Sequence, residues 1–545
     1  MVALLHHGRK IETATSGKAS PATVMEVSLG FLWHLKDLKG ISHLLSNLTN
    51  MMHLNLSYNS LSGGLPPELL FSGSISVLDN VSFNRLGGSL QDLSSLTVSE
   101  KPLQVLNISS NLFKGEFPSV TWEKTRSLVA LNASNNSFQG QIPSSFCITS
   151  PSFQVLDLSH NQFSGDIPTG LGNCSTLKVL KVGHNKLSGT LPNELFNATS
   201  LEHLSLNNNA LQGMLDGALI PQLINLATLD LEGNNLSGKI PDYIGQLKKL
   251  EVLHLGWNKM YGELPSALGS CIHLTTINLK GNSFSGHIEK VNFSSLSNLR
   301  TLDLYTNNFS GTIPESIYSC SSLTALRLSA NHFHRELSTK IGGLKYLSFL
   351  SLGYNSFTNI TSAIQILNFC KNLTILLSNF KGEVIPQDEI IEGFGNLQVF
   401  AIEECMLSDE IPLWLSKLTN LEVLVLHGNR LTGPIPSWIN SLSHLFYLDV
   451  SSNLLTREIP VALMTMPMIK SFDSAPYLDT RPIYLSVYRD PSHEYGSFTS
   501  SPKLVCFPSP ATPEAERQTN QKLKRMIATA VFDDNLVEEW SSKWT

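Results

Sequence analysis

The chain has 545 residues, 42% of them hydrophobic and only 15% charged, with a formal net charge of −6. That length suits three or four globular domains, and the apolar fraction excludes a wholly disordered chain. The acidic balance excludes a nucleic-acid binder that works by neutralising phosphates, and no apolar run approaches the ~20 residues of a membrane helix.

Residues 1–23 read as an irregular segment. Its apolar stretch, Val2 to Leu5, is too short for a secretory leader. Residues 24–48 carry a degenerate repeat unit with VMEVSL and LKGIS. From there the frame L-x-x-L-x-L-x-x-N recurs seventeen times, its last position running from Asn59 to Asn453 and mostly 24 or 25 residues apart. Asn379 is taken as one of these, and Cys405 stands in for Asn once. The x-L-x-L-x core alternates with period 2, so each unit predicts a short strand with its leucines facing in. One unit cannot bury its own leucines, but stacked units share a continuous core. A column of Asn side chains, with donors and acceptors both, can satisfy turn backbone between coils.

Behind the Asn comes L-x-G-x-I-P, as in LSGKIP from Leu236 and FSGTIP from Phe309. Gly permits a tight bend and Pro ends pairing after a second short strand. Some units depart from this. Asn80 reads as an insertion that leaves Asp79 where a leucine belongs, LTILLSN around Leu376 is two residues short, and Arg335 and Arg457 replace the Gly. Each predicts a local bulge or a weaker strand. The solenoid is expected over residues 24–468. After Asn453 the period stops; residues 469–505 are Tyr- and Pro-rich, and 506–545 read as a non-repeat tail, partly helical from Thr512 and Pro513.

Few residues suggest chemistry. GNNLSGK at Gly233 to Lys239 fits half a phosphate-binding loop, but Ile240 follows and the segment is a repeat turn. No metal or cofactor motif is read. The seven cysteines are odd in number and thinly spread, so no disulfide framework is expected, and Cys174, Cys271, Cys320 and Cys370 read as small buried residues. Thirteen N-x-S/T sequons occur, with Asn47, Asn197, Asn235, Asn292, Asn308, Asn359 and Asn372 as glycosylation candidates. Asn107 and Asn132 fall on concave strands, where a glycan would obstruct binding. The concave face should show Lys181, His203, His254, His427 and Tyr447, with Lys280, Tyr305, Arg327 and Tyr354 on four successive strands. Cations beside aromatics suit an acidic or sulfated peptide.

The period and the L-x-G-x-I-P signature resemble the plant-type leucine-rich repeat, so the fold class is an α/β repeat: a right-handed leucine-rich-repeat solenoid with a parallel concave sheet. The stretches GLGNCSTLKVLKVGHNKLSGTLPNELFNATSLE and IPLWLSKLTNLEVLVLHGNRLTGPIPSWINSL resemble receptor kinases and receptor-like proteins of the phytosulfokine and tyrosine-sulfated glycopeptide receptor group. LSVYRDPSHEY at Leu485 to Tyr495 is similar to that group's island, a non-repeat insert that helps bind a sulfated peptide. The resemblance implies a non-enzymatic ectodomain at the cell surface or outside the cell, with a peptide or protein ligand and a co-receptor kinase as partners. It adds Tyr484, Tyr488 and Arg489 as ligand contacts. The family's kinase, leader, Cys-rich cap and membrane helix are not read in this sequence. Two other readings stay open: a secreted inhibitor that binds another protein such as a cell-wall hydrolase, and an intracellular scaffold.

Overall fold

The computed structural model describes residues 52–65, 75–90, 103–118, 126–380, 387 and 393–466. Within them seventeen strands of three or four residues, one per repeat, lie side by side in a single parallel sheet. Thr301, Ala325 and Phe349 are successive partners, so the leucines that follow them, Leu302, Leu326 and Leu350, also form a column. All three are fully buried. This is the core that no single unit could build. Two shorter parallel sheets, of six and seven strands, run alongside.

The Asn column ties neighbouring coils together. Asn331 donates from Nδ2 to the carbonyl of Leu304 in the preceding unit (2.8 Å) and to its own turn at Leu328 and Ser329. Its Oδ1 accepts from the N–H of Phe309 (3.0 Å). The residue before the Asn sits in the left-handed region in unit after unit, whatever its size: Phe83, His160, Trp257, Thr306 and Tyr354 all have φ near +50°. That conformation swings the chain out of the first strand into the second. Phenylalanines two places beyond the Asn then stack along the solenoid, as between Phe284 and Phe309 (6.2 Å) and Phe333 and Phe357 (6.4 Å). The prolines of L-x-G-x-I-P, such as Pro241 and Pro314, lead into five-residue 3-10 turns. The α part of the expected class is small: a single turn at Phe146–Thr149 and one helix of eight residues, Ile360–Leu367, among the described residues.

The irregular units resolve differently from their sequence reading. An extra residue does enter the third described strand, where the register shifts between His53↔Val77 and Asn55↔Asn80. Leu78 keeps the leucine position and is fully buried, so Asp79 does not take it. Around Leu376 the two missing residues come out after that leucine. Phe380 continues the ring stack 5.8 Å from Phe357, while Ser378 pairs with Ile402 and so takes the second inward leucine position, which leaves Asn379 alone between strand and ring column. Ser378 is buried at this inward, apolar position and its Oγ has no partner among the described residues. Arg335 does not break its strand: His332–Arg335 pairs with Ser356–Phe357. It pays in conformation, with φ +74° at an exposed site where most units have Gly. A left-handed L-residue costs ~1–2 kcal/mol, part of which is returned by the freer unfolded glycine. Arg335→Gly is therefore expected to raise stability by about 0.5–1 kcal/mol, read as a higher urea midpoint at unchanged slope.

Residues 1–51 and 467–545 lie outside the described residues. These hold the irregular first segment, the degenerate unit, the island-like stretch and the tail.

Candidate functional site

On each strand of the main sheet the residues between the leucines face outward. In the middle of the solenoid these positions carry a run of charges and rings. Arg327 lies within the strand Ala325–Arg327, whereas Lys280 and Tyr305 stand two residues beyond the strands Thr276–Asn278 and Thr301–Asp303. Tyr354 stands further out, in the left-handed turn at φ +51°. The four therefore occupy successive units but three different columns.

Their charges are not free. Lys280, nearly inaccessible, pairs with Glu232 at 2.9 Å, and Asn278 donates to the other Glu232 oxygen at 2.9 Å. Burial raises the Glu232 carboxyl above its ordinary range, with Lys280 pulling it back down. Asp230 and His254 stand beside this pair, 3.9 Å apart, and with Glu232 each brings a ligand atom within 4.8 Å of the others. Both Glu232 oxygens are already held, so the cluster reads as a charge network.

Arg327 is 9% exposed. Its Nη1 donates to Asp303 Oδ2 at 2.6 Å. The guanidinium sits by the rings of Tyr305 and Phe349, 5.3 and 5.7 Å from their centroids. Its Nε is buried and has no hydrogen-bond partner among the described residues. A buried donor without an acceptor costs ~1–3 kcal/mol, so an acceptor brought to that edge regains what the fold has left unmade. Asp303, Glu232 and Phe349 were absent from the sequence reading. Asp303 had a signal, since period 2 puts it on the same face as Tyr305 and the register sets it beside Arg327.

A second carboxylate group lies further along. Glu403 is pushed up to about 7, first by burial and then by Asp449 and Glu404. Folding thus favours its protonated form. That contribution is in place at low pH and is lost as pH rises from the ordinary 4.5 through about 7. Glu403→Gln is expected to be more stable than the parent at about pH 8 and to lose that advantage near pH 5, measured by urea unfolding at both.

The remaining expected positions fall as follows. His203 and His427 face outward and bond neighbouring hydroxyls, Thr228 at 3.0 Å and Ser451 at 2.8 Å. Lys181 and Tyr447 are half-buried on their strands. The sequon residues Asn197, Asn235, Asn292, Asn308, Asn359 and Asn372 are all exposed. Asn292 and Asn359 use Oδ1 to cap helical turns, while Asn372 commits Nδ2 to the Lys345 carbonyl (2.6 Å). Asn47, Tyr484, Tyr488 and Arg489 lie outside the described residues. Cys271, Cys320 and Cys370 are buried thiols, pushed up to about 11 by burial. Cys174 departs from expectation: it is bonded to Cys147, with 5.0 Å between Cα atoms. The spread of cysteines along the sequence hid this, because 27 residues is about one coil and the stacking brings them together.

Among known proteins, the "Leucine rich repeat" family model matches residues 151–211, 272–333 and 393–473, and a second model of the same repeat matches 50–71, 127–148 and 225–247. Receptor-like protein 3 of Arabidopsis thaliana is 48% identical over 80 residues, which is 14% of this chain and 11% of that protein. Phytosulfokine receptor 1 of Arabidopsis thaliana is 44% identical over 72 residues, 13% of this chain and 7% of that protein. These matches thus span about a tenth or less of the curated relatives. Solved structures match far more. A TDR receptor aligns at 30% identity and TM-score 0.68 over 79% of this chain and 73% of that one. The plant peptide hormone receptor RGFR1, in complex with RGF2, aligns at 25% and 0.59 over 78% of both. The Arabidopsis receptor kinase HAESA, solved with the peptide hormone IDA and the co-receptor SERK1, aligns at 28% and 0.56 over 76% of both. With one strand per repeat, an Asn ladder between coils and this breadth of structural agreement, the chain belongs to the plant leucine-rich-repeat receptor family.

Proposed function

We propose that the chain is a ligand-binding, non-catalytic ectodomain that takes a tyrosine-sulfated peptide on its concave face at Arg327. The observation that carries this is the Arg327 guanidinium, buried beside two rings and tied to Asp303 by one nitrogen, with Nε left unpaired. A sulfate offers several acceptor oxygens, and the guanidinium edge that holds Nε can meet two of them in parallel. Tyr305 and Tyr354 flank the approach and supply ring contacts. Lys280 serves the site through Glu232, by holding a carboxylate that would otherwise repel an anion. Tyr484, Tyr488 and Arg489 are proposed to complete the site from the island.

The peptide hormones bound by RGFR1 and HAESA support the ligand class, and the SERK1 complex of HAESA supports a co-receptor kinase as second partner. The Cys147–Cys174 bond supports folding in an oxidising compartment, hence a cell-surface or extracellular place. Among the described residues no helix is long and apolar enough to cross a membrane.

Calorimetry on the full chain, with a tyrosine-sulfated acidic pentapeptide against its unsulfated form, tests the reading. Sulfation is expected to tighten binding at least tenfold. Equal affinities would overturn the sulfate assignment, and heat with neither peptide would favour the inhibitor reading.

A further inference from the structure

The first described units present a surface of quite different chemistry. The strands His53–Asn55, Val105–Asn107 and Ala130–Asn132 each end on an outward asparagine, and Val155–Asp157 ends on an aspartate. In each, Oδ1 accepts both the N–H and the hydroxyl of the serine two places on: Ser57, Ser109, Ser134 and Ser159, with Oγ to Oδ1 between 2.6 and 2.9 Å. The Nδ2 groups of Asn55, Asn107 and Asn132 donate to no described residue.

Beside this row the left-handed turns carry exposed rings. Tyr58 and Phe83 stack face to face at 4.4 Å and 7°, while 74% and 48% exposed. Further along, His160 and His184 stack at 4.0 Å. Among the described outward positions from His53 to Ser159 there is one carboxylate, Asp157, and no lysine or arginine.

We propose that this face binds a linear, neutral, β-linked polysaccharide laid across the strands. From Asn107 through Asn132 to Asp157 the row repeats with the strand spacing, ~4.8 Å, which is close to the rise of one sugar in an extended β-linked pyranose chain, and Asn55 stands two spacings before Asn107, across Val77–Asn80. An amide beside a hydroxyl offers a donor and an acceptor together, as neighbouring sugar hydroxyls require. The Tyr58–Phe83 pair is a flat apolar platform with a phenol at its edge, fitted to the C–H face of a pyranose ring. A charged ligand finds almost no counter-charge here, and a neutral polyol needs none. Its nearest strand, Val155–Asp157, lies seven strands from Ala325–Arg327, on the order of 34 Å at the strand spacing, and the site does not depend on Arg327.

The test is calorimetry on the full chain with cellohexaose and xylohexaose. An oligogalacturonide and a free mannose-rich glycan serve as the charged and branched controls. Because Asn55, Asn107 and Asn132 are also sequons, peptide mapping must first show them unmodified. A neutral hexamer is expected to bind at least tenfold tighter than its trimer. The double variant Tyr58→Ser/Phe83→Ser, exposed positions whose fold is checked by thermal melting, is expected to lose at least tenfold. Absence of binding at millimolar hexamer, equal affinity in the Tyr58/Phe83 variant, preference for the charged or mannose-rich control, or glycans on Asn107 and Asn132 would each overturn the proposal.

Discussion

Asn331→Ala is expected to cost about 3–6 kcal/mol of stability, more than most single changes to this chain. The side chain is 5% exposed, so water cannot replace it. Its two Nδ2 hydrogens serve three carbonyls and its Oδ1 serves one N–H. Alanine leaves two donors' worth of carbonyl acceptors and the Phe309 N–H without partners, at about 1–3 kcal/mol each. A neighbouring unit cannot compensate, because stability in a solenoid is a sum over adjacent coils. The outermost described ladder residue is the internal control. Asn59 is exposed and, among the described residues, bonds only its own turn, at Leu56 and Ser57, so Asn59→Ala is expected to cost about 1 kcal/mol or less. Urea unfolding of both variants, with amide exchange around Leu304 and Phe309, decides the matter. Equal small losses would mean that the ladder records the fold without holding it.

Cys405 shows how the fold treats an existing exception. Its Sγ accepts from Phe380 N–H at 3.0 Å, and Asn429 of the following unit takes on both Cys405 N–H and Leu407 N–H with one oxygen. Such repairs are not visible in a repeat consensus. The frame itself was: leucine spacing gave one strand per unit, and the Asn column followed from the polarity of the turn. What escaped were features that depend on which coil lies next to which. Cys147 meets Cys174 only through stacking. The place of Ser378 at an inward leucine position, with only Asn379 before Phe380, is fixed by its pairing with Ile402 and by where Phe380 must sit in the ring column. The helix Ile360–Leu367 was legible and missed: Asn359 caps it, and Ile360, Ala363, Ile364 and Leu367 keep helical spacing on the buried side. At the candidate site the cations were identified as outward residues, but their carboxylate partners were not. Salt-bridge partners across strands are set by register, which period alone leaves open.

That register also shapes the largest expected effect on binding. Removing Arg327 alone is an ambiguous experiment, because it orphans Asp303, which is 2% exposed, and breaking a buried pair costs about 3–5 kcal/mol of stability. The informative comparison starts from Asp303→Asn, which keeps the shape and an acceptor oxygen for Arg327 while removing the negative charge. An incoming sulfate then meets an uncompensated guanidinium. Asp303→Asn is therefore expected to bind a sulfated peptide more tightly than the parent, by about 1 kcal/mol or more, since opposed unit charges 6–8 Å apart at a protein surface interact at roughly that scale. Adding Arg327→Ala to Asp303→Asn removes a charge-assisted hydrogen bond from a desolvated site. The expected loss is about 2–3 kcal/mol, or roughly 30- to 150-fold in Kd, for the sulfated peptide, and little for its unsulfated form. Raised salt should weaken the sulfated complex only modestly, because the contact is buried. Calorimetry on the three proteins with both peptides reads every one of these differences. If Asp303→Asn weakens the sulfated complex, the carboxylate is a part of the ligand contact and not its competitor. If the double variant keeps the sulfate preference, the sulfate lies elsewhere on the concave face and Arg327 with Asp303 is a structural pair.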